Sequence, residues 1–140
     1  MTNPFAGMAL AVDRPSRLAL LHPVTKLPLR DAEGGEAWIE LLSWDSAASE
    51  AHRIERDDRA RRLGRDLTAE EANQDMAAHL AALTTGWRLL TLAGAALDVP
   101  CSPEAARALY GDRVLKWVRV QVLEHLNNRG NWHAASATAS

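Results

Sequence analysis

The spacing of apolar positions changes twice along this chain, and each change predicts a different kind of element. Between Arg17 and Arg30, Leu18, Leu20, Val24 and Leu27 are spread past Pro23 and Pro28. Two prolines exclude a regular helix there and favour extended, edge-like chain. Asp31-Ala32-Glu33-Gly34-Gly35 reads as a turn that needs positive-φ tolerance. The stretch Glu36 to Trp44 follows as a strand, with Trp38, Leu42 and Trp44 on one parity and Ile39 and Leu41 on the other. Apolar residues on both parities predict a strand covered on both faces, one by helices and the other by neighbouring strands or a partner. Two strands alone are marginal, so this unit needs a further short strand or support from helices.

Helical signals begin at Asp45 or Ser46, either of which can cap a helix running through Ala47, Ala48, Ala51 and Ile54 toward Arg65. Its apolar stripe is thin, and beyond Ile54 it meets Asp57, Asp58 and Arg61, with Gly64 weakening the end. The pattern predicts a projecting helix whose far half is solvent-exposed. Arg53, Arg56, Arg59, Arg61, Arg62 and Arg65 interleave with Glu50, Glu55, Asp57 and Asp58, which suits a solvated face with i,i+4 pairs better than a phosphate-tracking one. Thr68 and Glu71 have capping-box spacing. The helix they open carries Ala72, Met76, His79 or Leu80, Leu83 and Trp87 near one side, which reads as a core stripe with His79 a partly buried structural residue. Gly86 marks a change of direction, with the Trp87 indole packed at the bend.

From Trp87 to Val99 the chain is apolar, turns at Gly94, and is expected to cross the interior. Ser102 as N-cap and Pro103 at the first helical position start a short helix that ends at Gly111. Asp112 begins the last helix, where Val114, Leu115, Val118, Val122 and Leu126 form the inner face and Trp117 widens it. Arg129-Gly130-Asn131 closes it. Trp132 stands beyond, placed either to fold back over the helix or to meet another protein. The fold class predicted is α+β: a mainly helical domain of about four helices over 45–132, a small N-terminal antiparallel β unit over 17–44, a flexible arm at 1–16 and a flexible tail at 133–140.

A chain of 140 residues supports one cooperative domain. With 16 Lys plus Arg against 18 Asp plus Glu, its formal charge of -2 gives no pull toward nucleic acid or an anionic membrane. Leu89 to Leu97 is far short of a bilayer span, and Asp13, Arg14 and Arg17 interrupt any signal-peptide core, so a cytoplasmic protein is expected. Cys101 is the single cysteine, which excludes an intrachain disulfide. His22, His52, His79, His125 and His133 have no metal-site spacing, Cys101 is read as part of a helix cap, and the adjacent pairs Asp57-Asp58 and Glu70-Glu71 diverge around a helix. No catalytic residue, cofactor or metal is expected. The five Trp residues supply apolar bulk for packing or for contact with a partner.

The order of these features carries a family likeness. A strand around Trp38-Ile39-Glu40-Leu41 precedes the Arg-rich helix; Gly86-Trp87 leads to Val99-Pro100-Cys101-Ser102-Pro103-Glu104-Ala105-Ala106; and the last helix ends at Arg129-Gly130-Asn131-Trp132. Over roughly Val24 to Trp132 the chain resembles the tail assembly chaperones of long-tailed bacteriophages and prophages. Cys101 replaces a customary aromatic, Gly130 is inserted, and Trp132 stands for Phe. The resemblance implies a noncatalytic helper that binds the tape measure protein, keeps its long hydrophobic helices soluble and recruits tail tube subunits. It would act in the cytoplasm of the bacterial host and be absent from the mature virion, with self-association left open. Trp38, Trp44, Ile54, Leu63, Trp87, Pro100, Ser102 and Trp132 are its candidate contact or family-motif positions. The alternatives are a structural tail-completion or head-tail adaptor protein, and a small regulatory domain binding protein or nucleic acid.

Overall fold

A computed structural model describes residues 3–133. Four helices and a four-stranded antiparallel sheet in the order β1-β2-β3-β4 make an α+β fold. The strands are β1 (Ser16–Ala19), β2 (Trp38–Leu41), β3 (Thr84–Leu90) and β4 (Ala96–Leu97), and the helices are α1 (Ala47–Leu63), α2 (Ala69–Leu83), α3 (Pro103–Gly111) and α4 (Lys116–Asn127). The turn before β2 forms where Asp31 accepts from the Gly35 and Glu33 amides at 2.7 and 3.0 Å and from Arg88 on β3. That pairing holds the Asp31 carboxyl below the usual carboxylate range, with the Arg88 guanidinium the main cause.

The sheet is not confined to 17–44. α2 passes directly into β3 at Thr84, so the segment expected to cross the interior is a hairpin, and Trp87 pairs with Ile39 on the sheet and does not extend the stripe of α2. β-branched Thr84 and Thr85 followed by Gly86 oppose helix continuation, and the open side of β2 takes up the extended chain. Gly94, at φ 88°, turns β3 into β4.

Ile39 and Leu41 of β2 are fully buried against a core that includes Leu80, Leu83, Val122 and Leu126. The caps stand as read: Ser46 on α1, the reciprocal Thr68/Glu71 box on α2, and Ser102 with Pro103 on α3. In the box, Arg65 and the Thr68 amide bring the Glu71 carboxyl down to about 2. Ala72 is exposed and Met76 only half-buried, so the buried side of α2 is instead Asp75, Ala77, His79, Leu80, Ala81 and Leu83. Val114 is 69 % exposed, contrary to its place on the expected inner face. Asp112 caps a 3-10 turn over Arg113–Leu115, which displaces Val114 from the α4 row that buries Val118, Val122 and Leu126.

The N-terminal segment expected to be a loose arm is docked at Leu10 to Asp13, while residues 3–9 before it are exposed and bonded only locally. The Ala11 amide donates to the Trp132 carbonyl at 2.8 Å, Val12 accepts from Ser43, Asp13 accepts from the Ala47 amide, and Leu10 packs on the core. Backbone bonds to two separate segments hold it, which a reading of local periodicity does not detect. The expected tail from Ala134 onward lies outside the described residues. Among the described residues, no helix is long and apolar enough to cross a membrane.

Candidate protein-contact site

Helix α1 is held to the body by polar groups. Its inward positions 49, 52, 53, 56 and 59 follow helical spacing but carry Ser, His and Arg, and Ser49 is its one fully buried residue. They converge on Asp75 and His79 of α2. The buried Asp75 carboxylate accepts from Arg59 at 2.9 Å and pairs with His52 Nε2 at 3.1 Å, with Arg56 at 3.9 Å. His79 Nε2 lies 2.8 Å from Ser49 Oγ, its ring stacks on His52 at 4.4 Å, and Trp44 meets it edge-on at 4.9 Å. Burial, then the neighbouring His52, push the His79 imidazole down to about 4. Beside this network a cleft of about 370 Å³ opens between α1, α2 and α3, lined by His52, Arg56, Arg59, Asp75, Ala82 and Arg107 among others.

These groups form a fastening. Asp75 reaches His52 and not His79, and Ser49 Oγ is sealed from solvent, so the Ser49–His79 and His52–Asp75 contacts are two separate pairs rather than one relay. Burial raises the Cys101 thiol, the opposite of an activated nucleophile. His125 lies elsewhere, bonded to Ser16 Oγ at 2.9 Å. Among the described residues, no group of three His, Cys, Asp or Glu side chains is placed to hold a metal ion.

The candidate contact positions separate into four sets. Trp132 is 1 % exposed, folded back beneath the arm and edge-on to His125 at 5.4 Å; as a partner anchor it is excluded in this state. Trp44 is half-buried, its indole N-H donating to Asn127 Oδ1 at 3.2 Å, and Trp38 lies under the Arg17 guanidinium, 3.8 Å from the ring centroid, on the sheet face away from the helices. Ile54 and Leu63 are exposed at 55 % and 45 %, but nine residues of helix place them on opposite sides of α1, so they do not make one stripe.

The fourth set is brought together. The Trp87 indole N-H donates to the Val99 carbonyl at 2.7 Å, which fixes Gly86-Trp87 beside the segment running into exposed Pro100 and the Ser102 cap. Leu92 in the hairpin turn and Leu97 and Val99 along the open β4 side are all about half exposed. These three residues were missed in the sequence, because an apolar run between two helices reads as buried until its pairing partner is known. His52 and Asp75 were missed as well. For His52 the signal was present: polar residues at the one helical spacing that α1 had left for packing. Compared with family models, curated proteins and solved structures, the chain matches none of them.

Proposed function

We propose that this chain is a tail assembly chaperone of a long-tailed phage or prophage, binding the tape measure protein and helping to recruit tail tube subunits. The Trp87–Val99 bond carries the reading: two of the segments on which the resemblance rests, Gly86-Trp87 and Pro100-Cys101-Ser102, flank a single tied hairpin whose Leu92, Leu97 and Val99 are exposed. An uncovered apolar strand edge suits transient cover for apolar helices of a client, because contact there is shallow and the partner can leave. The fastened α1, with Ile54 on its outer side, offers a second contact. Action in the bacterial cytoplasm and absence from the finished particle belong to the same reading.

Co-expression with a tape measure protein from a gene next to its own, the neighbour this reading expects, tests this. The client is expected to move into the soluble fraction and to co-purify with the chain. Unchanged aggregation with no co-purification would defeat the proposal, and recovery of the chain at fixed stoichiometry in purified tails would favour a structural tail protein instead.

A further inference from the structure

The other edge of the sheet has a different chemistry. The Leu20 amide donates to the Ala37 carbonyl at 3.0 Å, so alternation along the strand turns Leu18 and Leu20 toward β2 and leaves the backbone groups of Arg17, Ala19 and Leu21 facing away from it. Leu21 shows what that edge accepts. The Gln121 carboxamide on α4 takes the Leu21 N-H on Oε1 and donates from Nε2 to the Leu21 carbonyl, both at 2.9 Å. One primary amide thus occupies the place that a peptide group of a neighbouring strand would fill. At the opposite end Ser16 Oγ is bonded to His125. Between these two tethers Arg17 and Ala19 are exposed, and no hydrogen bond among the described residues reaches their outward N-H and C=O groups.

Helix α4 runs beside this edge and closes a groove of about 310 Å³, lined by Leu18, Ala19, Gln121, Glu124, His125 and Asn128 among others. We propose that this groove docks an extended peptide segment of a partner protein as a fifth strand, with a basic side chain of that segment set against Glu124. Strand addition supplies the affinity through the Arg17 and Ala19 backbone, and the helix wall supplies the preference. Glu124 is the one acidic residue in the lining, so a Lys or Arg is the complementary side chain. A second copy of β1 does not provide it. Arg17 is already held by Glu40 at 2.7 Å and by the Trp38 ring on the outer face of the sheet.

Panning a phage-displayed library of random heptapeptides against the full chain tests the proposal without a known partner. The expected result is enrichment of sequences with a basic residue. The synthesised peptides should slow hydrogen exchange at the Arg17 and Ala19 amides, bind Glu124→Lys about three- to tenfold more weakly, and fail to bind Ala19→Pro, which removes an edge donor. Should Ala19→Pro fail to fold, Glu124→Lys, on an exposed helix position, keeps the test decisive. No enrichment, equal binding to Glu124→Lys, or protection confined to other residues would overturn it. So would a chain that sediments as a dimer with the Arg17 and Ala19 amides already protected. None of these failures touches the tape measure reading, which uses the β4 edge.

Discussion

Trp87 and Val99 face each other across the β3–β4 hairpin, with the indole N-H on the carbonyl at 2.7 Å. The ring also packs on the core, so its two ends have separable roles. Trp87→Phe keeps most of the apolar body and removes the donor. It should cost about 0.5–1.5 kcal/mol in urea unfolding, speed amide exchange through Ala96–Leu97 and lower recovery of the client. A variant with unchanged exchange and unchanged client recovery would remove this hairpin from the binding account.

Asp75→Ala is expected to loosen α1 more than the rest of the fold. The substitution leaves Arg59 and His52 without their common acceptor in a half-buried setting. Because Arg59 itself is 43 % exposed, the loss should be about 1–3 kcal/mol, below that of a fully buried pair. Hydrogen exchange resolved by segment checks it: faster exchange across Ala47–Leu63 with the sheet unchanged is the expected pattern.

Acid should weaken the same junction. His79 takes up a proton at an ordinary pH near 6.5 in the unfolded chain but only near 4 when folded, because burial and the adjacent His52 oppose the charge, as do Arg53 and Arg56, while Asp75 opposes that trend. Between those values the unfolded state binds more protons, so the contribution is intact above about pH 6.5 and is lost as pH falls toward 4. Unfolding free energies from urea titrations at pH 7 and pH 5 should differ by about 1–2 kcal/mol, and His79→Gln should reduce the difference. An unchanged pH dependence in that variant would show that another group controls it.

Two glycines with positive φ separate conformational strain from crowding. At Gly64, φ 68°, an added Cβ meets nothing within 4 Å, whereas at Gly94, φ 88°, it would stand 2.6 Å from the Arg30 carbonyl oxygen. Gly64→Ala should cost about 1 kcal/mol, the ordinary penalty of that conformation. Gly94→Ala should cost clearly more and shift the Arg30 segment. Thermal melts of the two variants give the comparison directly.

Helix starts were legible because caps are local: Ser46, Thr68 with Glu71, and Ser102 with Pro103 each satisfy backbone groups within a few residues. The strand at Trp38–Leu41 was legible from its bounding turn and its alternation. What was not legible depends on contacts distant in sequence. β3 exists because β2 lacked a second partner, the arm is fixed by Trp132 and Ser43, and Trp132 is buried by chain that begins more than a hundred residues earlier. At the candidate site, Trp87 and Ser102 were named from the sequence, but the exposure of Leu97 and Val99 follows from the end of the sheet at β4. The Arg run of α1 was read as a solvated face. Arg59 instead turns to Asp75, sixteen residues away on the next helix.

If the chain covers apolar surface of a tape measure protein, as proposed, light scattering reads out that cover. Tape measure protein diluted from denaturant should aggregate alone and scatter little when the purified chain is present in equimolar amount, with the Trp87→Phe variant giving weaker protection. Scattering that rises equally with and without the chain would contradict the account.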